Sequence, residues 1–224
     1  MTSKFKQFVR LASELIPTID RNQKIPKELN ENIIKRLKEQ LNGIDSSDLY
    51  INQFSNELLS DSELKNNKSV YYFPIIEMKA FTLAVFAFPP NSTIPLHDHP
   101  DMTVLSKVLY GHVYCKNYHL LDKKSQEVKF TGEVKLDETS GTKITYPQEN
   151  NLHCFYTESK STAVLDLLYP PYDNIYRSCN YYKLLKMENS HNRDDENFKL
   201  LKFDPDFSCI TSINSQRFFT NLVK

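Results

Sequence analysis

The stretch Pro95-Leu96-His97-Asp98-His99-Pro100 decides the fold and the chemistry that we predict for this chain. On an extended strand, residues two positions apart project from the same face. His97 and His99 therefore direct both imidazoles towards one point, and Asp98 turns to the opposite face. Imidazole is a common ligand for iron, zinc, copper and nickel. The pair predicts a metal-binding strand inside a β-structure.

Short stretches with the pattern of β-strands lie on both sides of this pair. They are apolar or alternating, rich in Val, Ile, Phe, Tyr and Thr, and separated by turn-forming residues. Because no helical pattern interrupts them, they predict a mainly β antiparallel sandwich or small barrel. The predicted strands cover residues 70–76, 81–88, 104–108, 113–118, 143–146, 152–156 and 163–168.

A third histidine completes the set. His153 lies 153 − 97 = 56 residues after His97, with predicted strands and turns between them. Gly111, Gly141 and Pro147 fall at or near the turn positions of the two-motif pattern of cupin proteins, which this arrangement resembles. In a cupin the double-stranded β-helix, a jelly-roll barrel, brings the histidine pair and the later histidine together in its interior. The resemblance implies a cupin-type barrel that holds a metal.

An acidic ligand is missing from the pattern. Many cupins place a glutamate four or five residues after the second histidine, and this chain has Thr103 and Val104 there. A metal held by three neutral histidines keeps its positive charge uncompensated, which suits an anionic ligand such as a substrate thiolate. Three histidines and a water also describe a catalytic zinc centre, so the residues alone leave the metal open.

Amphipathic helices precede the strands, and a polar run follows them. We predict helices at residues 5–16 and 26–41, with Pro26 in the first turn of the second helix and Gly43 at its end. Residues 45–68 have the composition of a loop. We expect a single domain overall, with a helical extension at 1–69 and a cupin core at 70–186. Residues 187–224 would hold a polar linker, 188–197, and a C-terminal segment whose role the sequence leaves open.

Composition excludes several classes of protein. The 28 basic and 28 acidic side chains balance, which removes the electrostatic footprint of a nucleic-acid-binding surface. No apolar run approaches the roughly 18 residues of a membrane span, and the first residues are polar, so we expect neither a membrane segment nor a signal peptide. The four cysteines are widely spaced, which favours reduced thiols. We expect a monomer in the cytosol, with the nucleus left open.

Four stretches of the chain resemble, in the right order, the plant cysteine oxidase and cysteamine (2-aminoethanethiol) dioxygenase family of thiol dioxygenases. They are residues 94–111, 152–155, 163–172 and 177–182. Residues 102–107 lean towards the plant oxidase branch. The resemblance implies an Fe(II)-dependent enzyme that adds both atoms of dioxygen to sulfur, with His97, His99 and His153 as the iron ligands.

The same resemblance implies the substrate. We expect oxidation of an N-terminal cysteine of proteins to cysteine sulfinic acid, a mark for N-degron degradation that would make the enzyme an oxygen sensor in hypoxia. The alternative within the family is a cysteamine dioxygenase that makes hypotaurine. Outside it, a zinc cupin hydrolase or isomerase and a non-catalytic cupin binding module remain as hypotheses.

Further site residues are also carried over from the family. Asp166 and Tyr172 match active-site positions, where the acid would orient the amino group of the substrate and the tyrosine would position substrate or oxygen. Cys179 and Tyr181 match positions that form a thioether crosslink in the cysteamine branch, and two packed side chains without a bond are the alternative.

Two turn positions depart from the expected residue. Asn91 replaces the glycine that the cupin pattern has six residues before His97, and Asp101 replaces the glycine that the family usually has after His99 and Pro100. Glycine at a turn commonly signals unusual backbone dihedral angles. We therefore expect the turn at Asp101, and the rim of the site beside it, to differ from that of the family.

Overall fold

The computed structural model describes residues 4–17, 29–49, 69–149, 151–173, 177–187 and 197–211. Within these ranges the chain forms two α-helices, a short 3-10 helix at Ser46–Leu49, and two sheets. The predicted mainly β, cupin-type fold with N-terminal helices is confirmed. Neither α-helix of these ranges is long and apolar enough to cross a membrane.

Helix α1 (Lys4–Leu15) confirms the first predicted helix. Phe5, Phe8 and Ala12 are almost fully buried, and their spacing of three and four residues places them on one face. This face packs with the next helix against Phe73 and Leu165 of the first sheet. The predicted role of the helices, packing against the barrel, follows from these contacts.

Helix α2 (Glu31–Asn42) begins later than predicted. Because Leu29 and Asn30 lie outside the helix, the predicted start at Pro26 is wrong. Residues 26–28 themselves fall outside the described ranges. The Asn30 side-chain oxygen accepts a hydrogen bond from the Asn32 amide at 2.8 Å, which satisfies one free amide of the first turn. Gly43 ends the helix as predicted.

The strands form two sheets that face each other. In chain order they are β1 (Tyr71–Glu77), β2 (Thr82–Phe88), β3 (Thr93–Asp98), β4 (Thr103–Tyr110), β5 (His112–Asp122), β6 (Glu127–Asp137), β7 (Thr142–Thr145), β8 (Leu152–Tyr156), β9 (Thr162–Tyr169), β10 (Tyr181–Lys186), β11 (Asn197–Phe203) and β12 (Ile210–Thr211). The first sheet has the order β12-β1-β2-β9-β4-β7. The second closes on itself as a small barrel in the order β10-β11-β6-β5-β8-β3.

The predicted strands are confirmed, most of them to within two residues at each end. The sequence pattern does not predict β6, β10, β11 or β12. Strand β6 is largely exposed and carries few apolar residues, because much of it pairs with β5 as an outer hairpin. Its sequence nevertheless alternates, with Val128, Phe130, Val134 and Leu136 at every second position apart from Gly132, so this signal was available and sequence reasoning missed it.

The C-terminal segment belongs to the folded structure. Strand β11 pairs with both β10 and β6, and β12 pairs in parallel with β1. Asn197, predicted as the end of the polar linker, is instead the first residue of β11, and residues 188–196 lie outside the described ranges. The segment thus completes the closed barrel of the second sheet and extends the first.

Apolar residues pack in separate cores. One lies between the helices and the outer face of the first sheet, and includes Leu37, Phe81 and Leu167. A second fills part of the space between the sheets, and another fills the interior of the closed barrel with side chains such as Leu96 and Leu152. The space between the sheets is only partly filled, and the functional site lies there.

Candidate metal centre and its cavity

Strand pairing brings the three predicted histidines together. Strands β3 and β8 are antiparallel, with His97 directly opposite His153. Paired residues project from the same face, and His99 follows two positions later on that face. All three are buried, at 6%, 4% and 1% exposure for His97, His99 and His153. The fold therefore gathers the three imidazoles at the inner wall of the second sheet.

The nitrogen atoms of these rings are close enough to bind one ion. One potential ligand atom from each histidine lies within 4.8 Å of the others. The Nε2 atoms of His99 and His153 are 2.9 Å apart. Two nitrogens at about 2.1 Å from one metal and at right angles to each other would be separated by about 3.0 Å. The geometry fits a metal ion held by His97, His99 and His153.

Hydrogen bonds leave two of the Nε2 atoms available for a metal. The Nδ1 of His97 lies 2.8 Å from the Pro95 carbonyl, to which it donates. The Tyr172 hydroxyl donates to the Asp98 carbonyl at 2.8 Å, so it accepts from the Nδ1 of His99 at 2.6 Å. Partners of this kind fix the tautomer and the orientation of metal-binding histidines.

His153, unlike the other two histidines, is not held at Nδ1 by a hydrogen bond to any described residue. Its Nδ1 is buried and has no hydrogen-bond partner among the described residues. Burial lowers the pKa of His97 to about 4 and lowers the pKa of His99 and of His153 well below the ordinary range. All three imidazoles are therefore neutral at pH 7, which is the form that binds metal.

Asp98 ties the histidine strand to β10. As predicted, it faces away from the imidazoles. Its carboxylate accepts hydrogen bonds from the Asn180 amide at 2.9 Å, from the Asn180 side chain at 3.1 Å and from the Tyr182 hydroxyl at 2.9 Å. Because strand residues alternate, this attachment directs the neighbours Cys179 and Tyr181 towards the opposite side. Sequence reasoning missed this role, although the His97-Asp98-His99 alternation already placed the acid opposite the ligands.

A cavity of about 300 Å³ opens in front of the three histidines, between the two sheets. It is lined by Tyr72, Glu77, Thr82, Phe86, Phe88, Ile94, His97, His99, His153, Phe155, Val164, Asp166, Leu168, Tyr172, Cys179, Tyr181 and Cys209. All seven site residues predicted from the sequence are in this set. Its walls are mostly apolar or aromatic, and among the described residues that line it only the two carboxylates are charged.

Asp166 reaches the cavity from the first sheet. It lies on β9 opposite Ala84 and Ser106, whose small side chains leave room for a carboxylate. The nearby Ser106 hydroxyl acts to lower its pKa, and the Asp166 Oδ1 atom is buried without a hydrogen-bond partner among the described residues. Burial raises its pKa from 3.8 to about 6. An unpartnered carboxylate oxygen in a cavity is suited to bind a donor from a ligand.

Tyr172, Cys179 and Tyr181 are also in contact. Burial raises the pKa of the Cys179 thiol to about 11, and the nearby hydroxyls of Tyr172 and Tyr181 oppose this shift. The Tyr181 ring lies 6.1 Å from the His97 ring, centre to centre. The predicted crosslink pair is thus adjacent beside the histidines, and whether a covalent bond forms stays a prediction.

Lys143 is a charge near the site that sequence reasoning missed. It lies on β7 opposite Ser106, which in turn lies opposite Asp166, so the three side chains project from the same face. Its Nζ donates to the Thr145 hydroxyl at 2.9 Å. Its positive charge contributes to the lowered pKa values of the three histidines and opposes the raised pKa of Asp166. The sequence offers one local signal for this contact: Lys143 and Thr145 lie two positions apart on a predicted strand, so their side chains project from the same face.

The two departures at the turns follow from backbone geometry. Asn91 and Asp101 have φ angles of 57° and 54°, in the left-handed region. Asparagine and aspartate enter this region more readily than other non-glycine residues. Asp101 thus adopts the kind of backbone angle that the family's glycine would allow, and the expected difference at the rim of the site stays a prediction. Gly111, at φ 75°, cannot be replaced in the same way, because a Cβ atom there would clash with the Ser161 carbonyl oxygen.

Comparison with known proteins points to one family. Residues 40–218 match the family described as PCO_ADO. A probable 2-aminoethanethiol dioxygenase of Dictyostelium discoideum is 40% identical over 211 residues, which cover 91% of this chain and 89% of that protein. Plant cysteine oxidase 2 of Arabidopsis thaliana is 40% identical over 121 residues, 50% of this chain and 44% of that protein. The 2-aminoethanethiol dioxygenase of Homo sapiens is 32% identical over 54% of each chain.

Solved structures are less similar. The protein TT1209 from Thermus thermophilus aligns with 47% of this chain and 88% of its own, at a TM-score of 0.37 and 15% identity. A similarity this low carries no information about function.

Proposed function

This chain belongs to the PCO_ADO family of thiol dioxygenases, and on that premise we propose that it oxidises an N-terminal cysteine of proteins to cysteine sulfinic acid with Fe(II) and dioxygen. The observation that carries the proposal is the group of three buried, neutral histidines, to which no carboxylate of the described residues belongs. Iron(II) bound there would supply a dipositive centre with open positions for a thiolate and for dioxygen.

The histidines would act as fixed, neutral ligands. His97 and His99 are each held by a hydrogen bond at Nδ1, so their rings do not need to reorganise when a metal or a substrate binds. Because no ligand carries a negative charge, the centre attracts an anion more strongly than a site with two histidines and a carboxylate. A thiol that enters the cavity would therefore bind as its thiolate.

Asp166 would bind the amino group of the substrate. Its pKa of about 6 leaves it ionised at neutral pH, and its free oxygen faces the cavity. An α-ammonium group placed there would satisfy that oxygen and hold the cysteine in one orientation. The apolar walls, which include Phe86, Val164 and Leu168, would exclude water around the pair and strengthen it.

Tyr172 would act as a positioning residue. Its hydroxyl already has the Asp98 carbonyl and the His99 ring as partners. It therefore acts on the reaction through the orientation of His99, and its ring forms part of the cavity wall beside Tyr181. The sequence resemblance assigned it to substrate or oxygen, and the hydrogen bonds favour the histidine.

Cysteamine is the second candidate substrate. The relative that aligns with 91% of this chain is named a probable 2-aminoethanethiol dioxygenase. Cysteamine carries the same thiol and amine as an N-terminal cysteine, so Asp166 would serve both. Free cysteine fits less well, because its carboxylate would enter a cavity whose described lining contains two acids and neither lysine nor arginine.

The proposed role in the cell follows from the product. A sulfinate formed at a protein N-terminus in proportion to oxygen supply would let degradation of that protein report on hypoxia. We propose the cytosol as the place of this reaction, with the nucleus left open.

Mass spectrometry tests the proposal. A peptide with an N-terminal cysteine is incubated with the iron-loaded protein under oxygen-18 gas, and we expect a gain of two labelled oxygen atoms on that cysteine. His153→Ala should abolish the gain, and a peptide with an N-acetylated cysteine should react poorly because it lacks the ammonium group. Oxidation of cysteamine but not of the peptide would identify cysteamine, the second candidate, as the substrate. If neither thiol is oxidised by protein with confirmed iron content, the proposal is overturned.

A further inference from the structure

Glu77 is an acid of the cavity that the proposed reaction does not use. It is the last residue of β1 and is exposed to solvent, yet it belongs to the lining of the cavity. A side chain that does both stands at the mouth. The three histidines are buried, and Asp166 is only 9% exposed, so the carboxylate of Glu77 is the one that a substrate chain meets as it leaves the cavity.

Tyr72 holds this carboxylate in place. Its hydroxyl donates to the Glu77 Oε1 atom at 3.3 Å, and its ring lies 5.3 Å from that of Phe86, centre to centre. Both Tyr72 and Phe86 line the same cavity. Burial raises the pKa of Tyr72, and the charges of Glu77 and Asp166 raise it further. The hydroxyl therefore stays protonated and remains a donor between the acid at the mouth and the acid inside.

No basic side chain of the described residues neutralises Glu77. It forms no salt bridge in these parts of the chain. The adjacent Lys79 is exposed in the turn after β1 and does not line the cavity, and Lys143 donates to Thr145. The negative charge at the mouth is therefore available to a ligand.

Sheet geometry gives the distance between the two acids. Asp166 pairs with Ala84 on β2, and Glu77 pairs with Thr82 on the same strand. The two acids are thus offset by two strands and two residues. With about 4.8 Å between strands and about 3.4 Å per residue, their α-carbons lie roughly 12 Å apart. If Asp166 holds the ammonium group of the first residue, a long basic side chain on the second residue reaches the mouth.

We propose that Glu77, oriented by Tyr72, is a specificity residue that binds a lysine or arginine directly after the N-terminal cysteine of a peptide substrate. This inference rests on the proposed function, and it goes beyond it by naming the substrate sequence that the enzyme prefers. A lysine or arginine at the mouth would bind a carboxylate that has no salt bridge among the described residues, and an acidic residue there would be repelled by the negative charge of Glu77. Because Glu77 is exposed, the effect is modest and weakens as salt increases.

The experiment uses three peptides that differ in the second residue, which is Lys, Gln or Glu. The measured quantity is kcat/KM for sulfinate formation by the iron-loaded full chain, expressed as the Lys/Gln and Glu/Gln ratios. We expect the Lys peptide to be preferred over the Gln peptide by about 2- to 5-fold, and the Glu peptide to be disfavoured by a similar factor. Glu77→Gln should bring both ratios close to one, and Tyr72→Phe should reduce them in part.

A matched control is Glu39→Gln, which removes an exposed acid from α2, far from the cavity. It should leave both ratios as in the unmodified protein. The ratios cancel any loss of activity that all three peptides share, and iron content reports on folding of each variant. Ratios near one in the unmodified protein, or ratios that persist in Glu77→Gln, would overturn this inference while the proposed function stands. Failure of all three peptides at full iron content would instead overturn the proposed function.

Discussion

The two faces of strands β3 and β8 have different surroundings, although successive residues of each strand project alternately from one face and the other. Leu96 and Leu152 point into the closed barrel of the second sheet and pack in an apolar core. Their neighbours His97 and His153 point the other way, into a cavity that is only partly filled. One face is closed and holds the strands in place, and the other is open and presents neutral nitrogen atoms. The apolar packing on one side thus holds the strands that position the three histidines on the other.

The largest expected effect comes from substitutions at two adjacent residues that lie on opposite faces. His97→Ala removes a ligand, so we expect loss of bound iron and of thiol oxidation to background, with a small effect on stability. Leu96→Ala leaves the ligands intact and opens a cavity in the closed barrel, which should lower the free energy of unfolding by about 2–5 kcal/mol.

Iron content, activity per bound iron and denaturant unfolding separate these two results. Retention of stoichiometric iron in His97→Ala would contradict the assignment of this residue as a ligand. Full loss of activity per iron in Leu96→Ala would show that the two faces are not independent.

The hydrogen bond between Tyr172 and His99 connects the cavity wall to the centre. Tyr172→Phe removes the acceptor of the His99 Nδ1 proton, and the ring is then free to rotate. We expect iron affinity to fall by about 10- to 100-fold, with kcat per bound iron changed less than affinity. Competition with a chelator measures the affinity. A variant with unchanged affinity and a low kcat would instead place the tyrosine in contact with the reacting groups.

Burial of the Asp166 carboxylate on the cavity side destabilises the folded protein by an amount that depends on pH. Its pKa is raised from 3.8 to about 6, so the folded protein binds a proton more tightly than the unfolded chain. The contribution of Asp166 to stability is therefore greatest below the ordinary pKa and falls as pH rises from about 4 to about 6, whereas the three histidines, whose pKa values are lowered, contribute in the opposite direction. Asp166→Asn should remove this one contribution and stabilise the metal-free protein at pH 7 by up to about 3 kcal/mol, while lowering activity.

Urea unfolding of the metal-free protein at several pH values checks this sign. A pH dependence that is the same in Asp166→Asn would mean that the carboxylate is not desolvated in the folded state.

The smallest expected effect concerns the turn beside the site. Asp101 has a φ of 54°, where glycine carries no steric cost but loses more entropy on folding. Asp101→Gly should therefore change stability by less than about 1 kcal/mol and leave thiol oxidation unaltered. Gly111→Ala is the contrasting substitution, because its new Cβ atom would clash with a carbonyl oxygen. Thermal unfolding of both variants measures the difference.

The sequence predicts the open face better than the closed one. The alternation of His97 and His99, and the position of His153 at a strand, are local patterns that survive in the folded chain. The closed barrel depends on β10 and β11, whose pairing joins residues far apart in the chain. Each of these two strands contains a Leu-Leu pair, Leu184-Leu185 and Leu200-Leu201, that interrupts strict alternation, so periodicity gives only a weak signal for them.

Partners across the chain explain what else the sequence did not predict. The bond from Asn180 and Tyr182 to Asp98 spans more than eighty positions in the sequence, and the row of Lys143, Ser106 and Asp166 joins three strands. Neither set forms a local motif. The start of helix α2 at Glu31 is a different case, since Asn30 is a recognisable cap that Pro26 obscured.

The measurement that tests the central claim most directly is oxygen uptake by the protein loaded with Fe(II) or with Zn(II), in the presence of a peptide with an N-terminal cysteine. Our account predicts one dioxygen consumed per sulfinate formed with iron, and none with zinc, because zinc has no redox chemistry. Equal uptake with both metals, or no uptake by the fully iron-loaded protein with either the peptide or cysteamine, would contradict it.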